Sequence, residues 1–380
     1  MQERLNKKVL FLASWYPSKK NLSLGNFVQK HAEVANDVAH VDVLYAVSTD
    51  EVNSVEISDE VINGVRTVIV YYPKIESTVP IASSLKKKNA YFKALKQGFE
   101  LLNQKYDLVH LNAVFPAGMF ALWLKSKHQL NYIITVHWTG FLPHHQVYSQ
   151  YPFYIKKKFR SIFRASDLVL PVSDHLGKSL QQLALVSKYQ VMHNVVNDEY
   201  FYPSKKSVKH SQAIRFLHVS SFNDEHKNIS GMLSAFGQLD RDFILHLITE
   251  GEESEVWEAI ALHNIPKEKC IVEGRKPAEG IGEAMRLADC FVLFSNYETF
   301  SVVLAEAWTT GIPAIYSQCG GLTEINNVDL GVQIEVGDES ALLEALSSFQ
   351  KGAYPSEAII QYAQRFTLKS LRSIFFQVYS

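Results

Sequence analysis

Short apolar, β-branched runs recur along this chain, with helix-length mixed segments between most of them. In the first half they are 9–13, 41–46, 65–72, 108–111, 133–136, 168–172 and 191–193; in the second, 214–219, 243–248, 270–272, 290–294, 313–316 and 332–336. Continuous apolar strands separated by helices predict parallel sheets with helices on both faces. Two such series predict an α/β protein with two Rossmann-like, doubly wound domains. The 380-residue length also suits two cores better than one. The join is visible near residue 200, where Phe201-Tyr202-Pro203 leads into a Lys- and Ser-rich stretch, 204–213, without apolar period. Residues 357–380 read as two terminal helices interrupted near Thr367.

Composition narrows the function. Thirty-eight basic residues stand against thirty-nine acidic ones, for a net charge of −1. That excludes a whole-chain polycation for nucleic acid and an acidic disordered segment. The three cysteines, Cys270, Cys290 and Cys319, are widely spaced with no CxxC, so neither a disulfide framework nor a zinc site is indicated. No apolar run reaches the roughly 18 residues of a membrane span. The run 9–13 is too short for a signal peptide and is followed by Trp15-Tyr16-Pro17, so a cytoplasmic protein is expected.

The most informative stretch is Ser295-Asn296-Tyr297-Glu298-Thr299-Phe300-Ser301, continuing through Val302-Val303-Leu304-Ala305 to Glu306. It follows a strand, so Glu298 falls in a β-to-α loop and Glu306 in the helix, about two turns in. Carboxyl ends of strands are where open α/β sheets bind ligands. Ionised carboxylates accept hydrogen bonds strongly from sugar or ribose hydroxyls. Two glutamates with seven residues between them also arise by chance in a chain of this composition, so the pair acquires weight only from its context. Downstream, Gly320-Gly321 precedes Leu322-Thr323-Glu324, a turn that could bring backbone N–H groups toward an anion or simply open a helix.

Taken together, the segment 288–325 resembles the signature of glycosyltransferase family 4, the retaining group 1 transferases of the two-domain GT-B fold. The similarity extends to Trp15-Tyr16-Pro17 with Gly25-Asn26-Phe27, to Thr135-Val136-His137, and to Asn194-Val195-Val196-Asn197 with Phe201. The resemblance implies two domains facing across a cleft, an acceptor-binding domain at 1–200 and a donor-binding domain at 201–363. A C-terminal helix at about 364–380 would cross back to the first domain. It places Glu298, with Thr299, Phe300 and Ser301, at the donor sugar and phosphates, and Glu306 at the ribose hydroxyls. Lys227 would neutralise the donor diphosphate without a metal or other cofactor. His137 would face the donor sugar, with His137, Glu298 and Lys227 as the catalytic group. Gly25 and Asn26 would lie in the loop over the donor phosphates.

Two departures stand out. The family's arginine before the lysine is Ser221 here, and its glycine after the phenylalanine is Ser301. Arg275 is the candidate to supply the missing charge, although that loop in the family lines the nucleotide base. The implied activity is transfer of a sugar from a nucleotide-diphosphate donor to a glycan or lipid-linked acceptor in surface polysaccharide or glycoconjugate synthesis. The rivals are a GT-B epimerase or phosphorylase, and a non-catalytic sugar-nucleotide-binding relative. Lys86-Lys87-Lys88 and Lys156-Lys157-Lys158, the latter among aromatic residues, suit either a solvated helix face or peripheral contact with an anionic membrane.

Overall fold

The computed structural model describes residues 4–75, 80–204 and 213–380, together with the backbone alone at 80–84 inside a helix. Most of the Lys/Ser-rich stretch expected to join the domains lies outside the described residues. The chain divides into two compact units: Met1–Asn194 with Leu371–Ser380, and Val195–Ser370. The division thus falls a few residues before the expected 200, and the return begins at Leu371 rather than near 364.

The first unit holds β1 (Lys8–Ala13), β2 (His40–Thr49), β3 (Glu56–Ile62), β4 (Val65–Pro73), β5 (Leu108–Asn112), β6 (Tyr132–Val136) and β7 (Leu168–Pro171). Their order across the sheet is β3-β4-β2-β1-β5-β6-β7, parallel except for β3 against β4. The second unit holds β8 (Ile214–Ser220), β9 (Phe243–Thr249), β10 (Cys270–Glu273), β11 (Cys290–Leu293), β12 (Ala314–Ser317) and β13 (Gly331–Ile334). Their order is β10-β9-β8-β11-β12-β13, all parallel.

Both sheets reverse direction at their first strand: β1 lies between β2 and β5, and β8 between β9 and β11. Helices on either side of that strand depart to opposite faces, leaving a crevice at its carboxyl end where ligands bind in such sheets. The cores explain why the strands read as apolar runs. Leu245 and Leu247 of β9 and Val292 of β11 are fully buried against Met232, Leu233 and Phe236 of the helix Ile229–Gly237.

Two strand expectations need correction. Residues 191–193 form no strand: Gln190 and Met192 donate to β7 carbonyls at Val169 and Pro171, but no ladder continues beyond them. Strand β3, Glu56–Ile62, was not expected, because its exposed edge position allows a polar sequence without an apolar run. Its signal was the turn Asn63-Gly64, whose residues both take positive φ (48° and 81°) in a tight antiparallel hairpin.

The C-terminal segment contains the helix Ser356–Ala363, a short 3₁₀ turn and the helix Leu368–Tyr379. Phe375 of the last helix packs edge-on to Phe11 and His110 in the first unit. The Tyr379 hydroxyl lies 2.7 Å from His110 Nδ1.

Candidate functional site

In the second unit, the loops after β8 and β11 flank the reversal. Asn223 caps the short helix Asp224–Lys227, accepting from the His226 N–H at 3.0 Å. Asn228 then takes a positive φ of 48° and redirects the chain into the helix Ile229–Gly237. Asn296, just past β11, joins the loops: its N–H donates to the His226 carbonyl (2.8 Å) and its Nδ2 to the Glu225 carbonyl (3.0 Å).

This stitching brings Lys227 and Glu298 together. Lys227 Nζ donates to Glu298 Oε1 at 2.6 Å, and Ser295 Oγ donates to the same oxygen at 3.0 Å. The glutamate side chain is 9% exposed and the lysine 20%. A carboxylate so enclosed requires a cationic or hydrogen-bonding partner, since unpaired burial of a charge is costly. An ammonium group has three N–H donors, so Lys227 can hold Glu298 and still address an anion.

Gly321 donates its N–H to the Glu298 carbonyl at 3.0 Å. The Gly-Gly turn opens a five-residue 3₁₀ helix, Gly320–Glu324, and at Gly321 it braces the glutamate loop rather than facing an anion. Phe300 is buried edge-on against Phe366 at 5.1 Å, while Thr299 is half-buried.

Ser301 precedes the helix Val302–Thr309 with φ 66° and ψ 89°. A positive φ explains why glycine is usual in the family at this position, and a serine held there is strained by about 1–3 kcal/mol. Its hydroxyl is buried without a hydrogen-bond partner. Glu306 sits just over one turn into the helix, not two. Its side chain is half-buried, yet the surrounding protein desolvates the carboxyl enough to push it up to about 8.

Arg275 is placed elsewhere. It follows the edge strand β10 and pairs with Glu250 at 3.6 Å. Two strand spacings, about 10 Å, separate β10 from β8. Ser221, at the position of the family arginine, is exposed, and its carbonyl accepts from Ser220 Oγ.

In the first unit, Gly25 begins the helix Asn26–Asn36 with φ 78°. A Cβ there would lie 2.6 Å from the Trp15 carbonyl, so both conformation and close approach require glycine. Asn26 is exposed, and Phe27 packs 4.4 Å from the ring of His137, measured between centroids. His137 directly follows β6 and is buried. Burial keeps its imidazole well below the usual histidine range.

Gly25, Asn26 and His137 thus belong to the first unit, and Lys227, Glu298, Thr299, Phe300, Ser301 and Glu306 to the second. Sequence reading missed Asn296 as the residue joining the two loops. Its signal was a polar side chain immediately after an apolar strand, too common to single out alone.

Two doubly wound α/β units, each with a reversal of strand order at its first strand, have the architecture of the GT-B fold. The model for "Glycosyltransferase Family 4" matches residues 36–200, and that for "Glycosyl transferases group 1" matches residues 203–366. The chain belongs to the group 1, family 4 glycosyltransferases. It is 24% identical over 253 residues to an N-acetyl-alpha-D-glucosaminyl L-malate synthase of Bacillus anthracis, covering 63% of this chain and 64% of that one. It is 22% identical over 374 residues to TuaC of Bacillus subtilis (strain 168), named for teichuronic acid biosynthesis, covering 90% of this chain and 89% of that one. Among solved structures, a sucrose-phosphate synthase from Thermosynechococcus elongatus superposes with TM-score 0.75 at 18% identity, over 98% of each chain. Anabaena HepE in complex with UDP-glucose gives TM-score 0.71 at 16% identity, over 98% of this chain and 99% of that one.

Ser301→Gly should relieve the backbone strain and raise stability by about 1 kcal/mol, read from urea denaturation. For Glu306 the expected effect depends on pH. Below its ordinary value of 4.5 the carboxyl is neutral in both folded and unfolded chains. Between there and about 8 the unfolded chain ionises while the folded one holds its proton, so stability falls as pH rises. Glu306→Gln should therefore raise the melting temperature more at pH 8 than at pH 5; an equal change at both would contradict this.

Proposed function

We propose that this protein is a retaining glycosyltransferase that moves a sugar from a nucleotide-diphosphate donor to a hydroxyl of a glycan or lipid-linked acceptor. The observation that carries the reading is the Lys227–Glu298 pair at the carboxyl ends of β8 and β11, beside the reversal in strand order. Lys227 faces the donor diphosphate, where negative charge grows as the sugar–phosphate bond breaks, and a fixed cation stabilises it. The helix Val302–Thr309 adds its N-terminal amides, whose dipoles favour an anion. Glu298 orients the lysine and accepts sugar hydroxyls, and Glu306 accepts those of the ribose. Thr299, Phe300 and Ser301 complete the donor loop. Gly25, Asn26 and His137 are assigned to the donor by the family resemblance.

The acceptor hydroxyl attacks from the face the diphosphate leaves, and a departing phosphate oxygen takes its proton. Positioning and charge stabilisation supply most of the rate, with no protein nucleophile required. Lys227 and the helix amides carry the anion without a metal, so EDTA should leave turnover unchanged. A role in surface polysaccharide or glycoconjugate synthesis is supported by the name of TuaC. Arg275, just past the outer strand β10 and paired with Glu250 beyond β9, is assigned to the nucleotide end.

The decisive experiment is a thermal-shift titration with UDP, GDP, ADP and CMP, with and without EDTA, on wild type and Glu306→Ala. A ligand that binds only the folded protein raises its melting temperature with concentration. One diphosphate should stabilise wild type, and the variant should lose the effect. If none binds the folded protein, the donor reading fails. Binding without turnover across acceptors would favour the non-catalytic alternative. An anomer-resolved NMR assay of the product tests retention.

A peripheral membrane contact is part of this proposal. The helix Phe153–Ala165 carries Lys156, Lys157, Lys158, Arg160 and Arg164 and no acidic residue, with Phe153 71% and Tyr154 64% exposed. Exposed Leu85 and Lys86–Lys88 lie near the start of the helix Pro80–Leu102. Both helices run back from the carboxyl rim of the first sheet, in one layer with the helix Gly118–His128. Cations near a helix N-terminus oppose its dipole, a local cost that an anionic surface would offset. Cosedimentation with phosphatidylglycerol vesicles, weak binding to phosphatidylcholine, and loss on changing Lys156, Lys157 and Lys158 to Glu are expected. No helix among the described residues is long and apolar enough to cross a membrane.

A further inference from the structure

Beneath His137 the first unit buries a stripe of polar side chains on one face of its sheet. His110 and Asn112 lie on β5, and Thr135 lies on β6 with His137 beyond its end. The helix Asn26–Asn36 covers that face with Phe27 and His31, and the helix Leu368–Tyr379 covers it with Phe375 and Tyr379.

The deeper half of the stripe is satisfied. His110 Nδ1 meets the Tyr379 hydroxyl at 2.7 Å, and His110 Nε2 meets the Thr135 hydroxyl at 2.6 Å. The half nearer the carboxyl rim is not. Both ring nitrogens of His31 are buried with no hydrogen-bond partner, as is the amide oxygen of Asn112; those of His137 form no bond of good geometry, although the Asn194 side chain lies within hydrogen-bonding range of that ring. His31 is fully buried, and its ring centroid lies 5.5 Å from that of His137.

An unsatisfied buried polar group costs about 1–3 kcal/mol, and an apolar side chain of similar shape avoids that cost. A phenylalanine would suit the position of His31, whose ring neighbours include Phe375 as well as His137. An imidazole there is unfavourable for packing alone. The two rings make no direct hydrogen bond, but at a centroid separation of 5.5 Å one water with two bonds of about 2.8 Å can bridge them.

We infer that His31 is a positioning residue for His137: through one bridging water it holds one nitrogen of that ring, fixes its tautomer, and leaves the other nitrogen toward Asn194 and the substrate. Which imidazole nitrogen carries the proton is set by the bond the other one makes. Phe27, 4.4 Å from His137, supports the ring from the same helix, one turn before His31. Tyr379 and His110 anchor the stripe to the C-terminal helix. The inference rests on the proposed contact of His137 with the donor sugar, but the pairing of the two rings can be tested without it.

The test uses full-length protein labelled with ¹⁵N-histidine, with His137 assigned through His137→Gln. Wild type should show His137 in a single tautomer. His31→Phe should fold with an equal or higher melting temperature, move the His137 ¹⁵N shifts toward tautomer averaging, and lower nucleoside-diphosphate release from UDP-glucose, UDP-N-acetylglucosamine or GDP-mannose by about tenfold. His31→Gln, which keeps a hydrogen-bonding group, should restore both the shifts and most of the turnover. It also serves as the folded comparison if the phenylalanine variant is unstable. Unmoved His137 shifts in a folded His31 variant would overturn the inference, whatever happens to turnover. Moved shifts with turnover insensitive to both His31→Phe and His137→Ala would leave the pairing standing and refute the sugar contact instead.

Discussion

The candidate donor site depends on one ion pair. Lys227 and Glu298 come from loops after different strands, 71 residues apart, and meet only because β8 and β11 are neighbours at the reversal of strand order. Asn296 and Ser295 hold that meeting in place, one bonding the lysine loop and the other the glutamate. The carboxylate is too enclosed to stand unpaired, so the lysine is held at the rim before any ligand arrives. A cation fixed in advance stabilises developing charge without reorganising during the reaction.

Around that pair the chain repeatedly accepts local cost. Ser301 carries a β-carbon in a conformation that suits glycine, and its hydroxyl is buried without a partner. Glu306 is desolvated on a helix whose neighbouring positions are apolar. In the first unit, His31 buries both ring nitrogens without a direct partner in a layer that aromatic residues could fill. Such conflicts between local preference and fold concentrate where a ligand or a reaction sets the requirement. In the core of the second unit, Phe216, Leu245 and Val292 are buried without such a cost.

The strands were readable because parallel strands covered on both faces must be continuously apolar. The exceptions follow the same physics. Strand β3 sits at an edge with its side chains largely exposed, so only the Asn63-Gly64 turn betrayed it. Val191 and Met192 are apolar where the chain runs beside β7, yet they form no strand. Arg275 shows the limit for charges: sequence offered it as a substitute for the missing arginine, while strand order moved it to the far edge, against Glu250.

The sequence alone therefore determined the two α/β series, the loops that carry Glu298, Glu306 and Lys227, and the glycosyltransferase family, because periodicity and short motifs are local. Tertiary structure decided what meets what. It set Lys227 against Glu298, joined their loops through Asn296, turned the Gly321 amide to the Glu298 carbonyl, and placed His31 beside His137 with Phe375 and Tyr379 beneath. Those contacts depend on strand order and on the return of the last helix to the first unit, and neither leaves a trace in the spacing of residues along the chain.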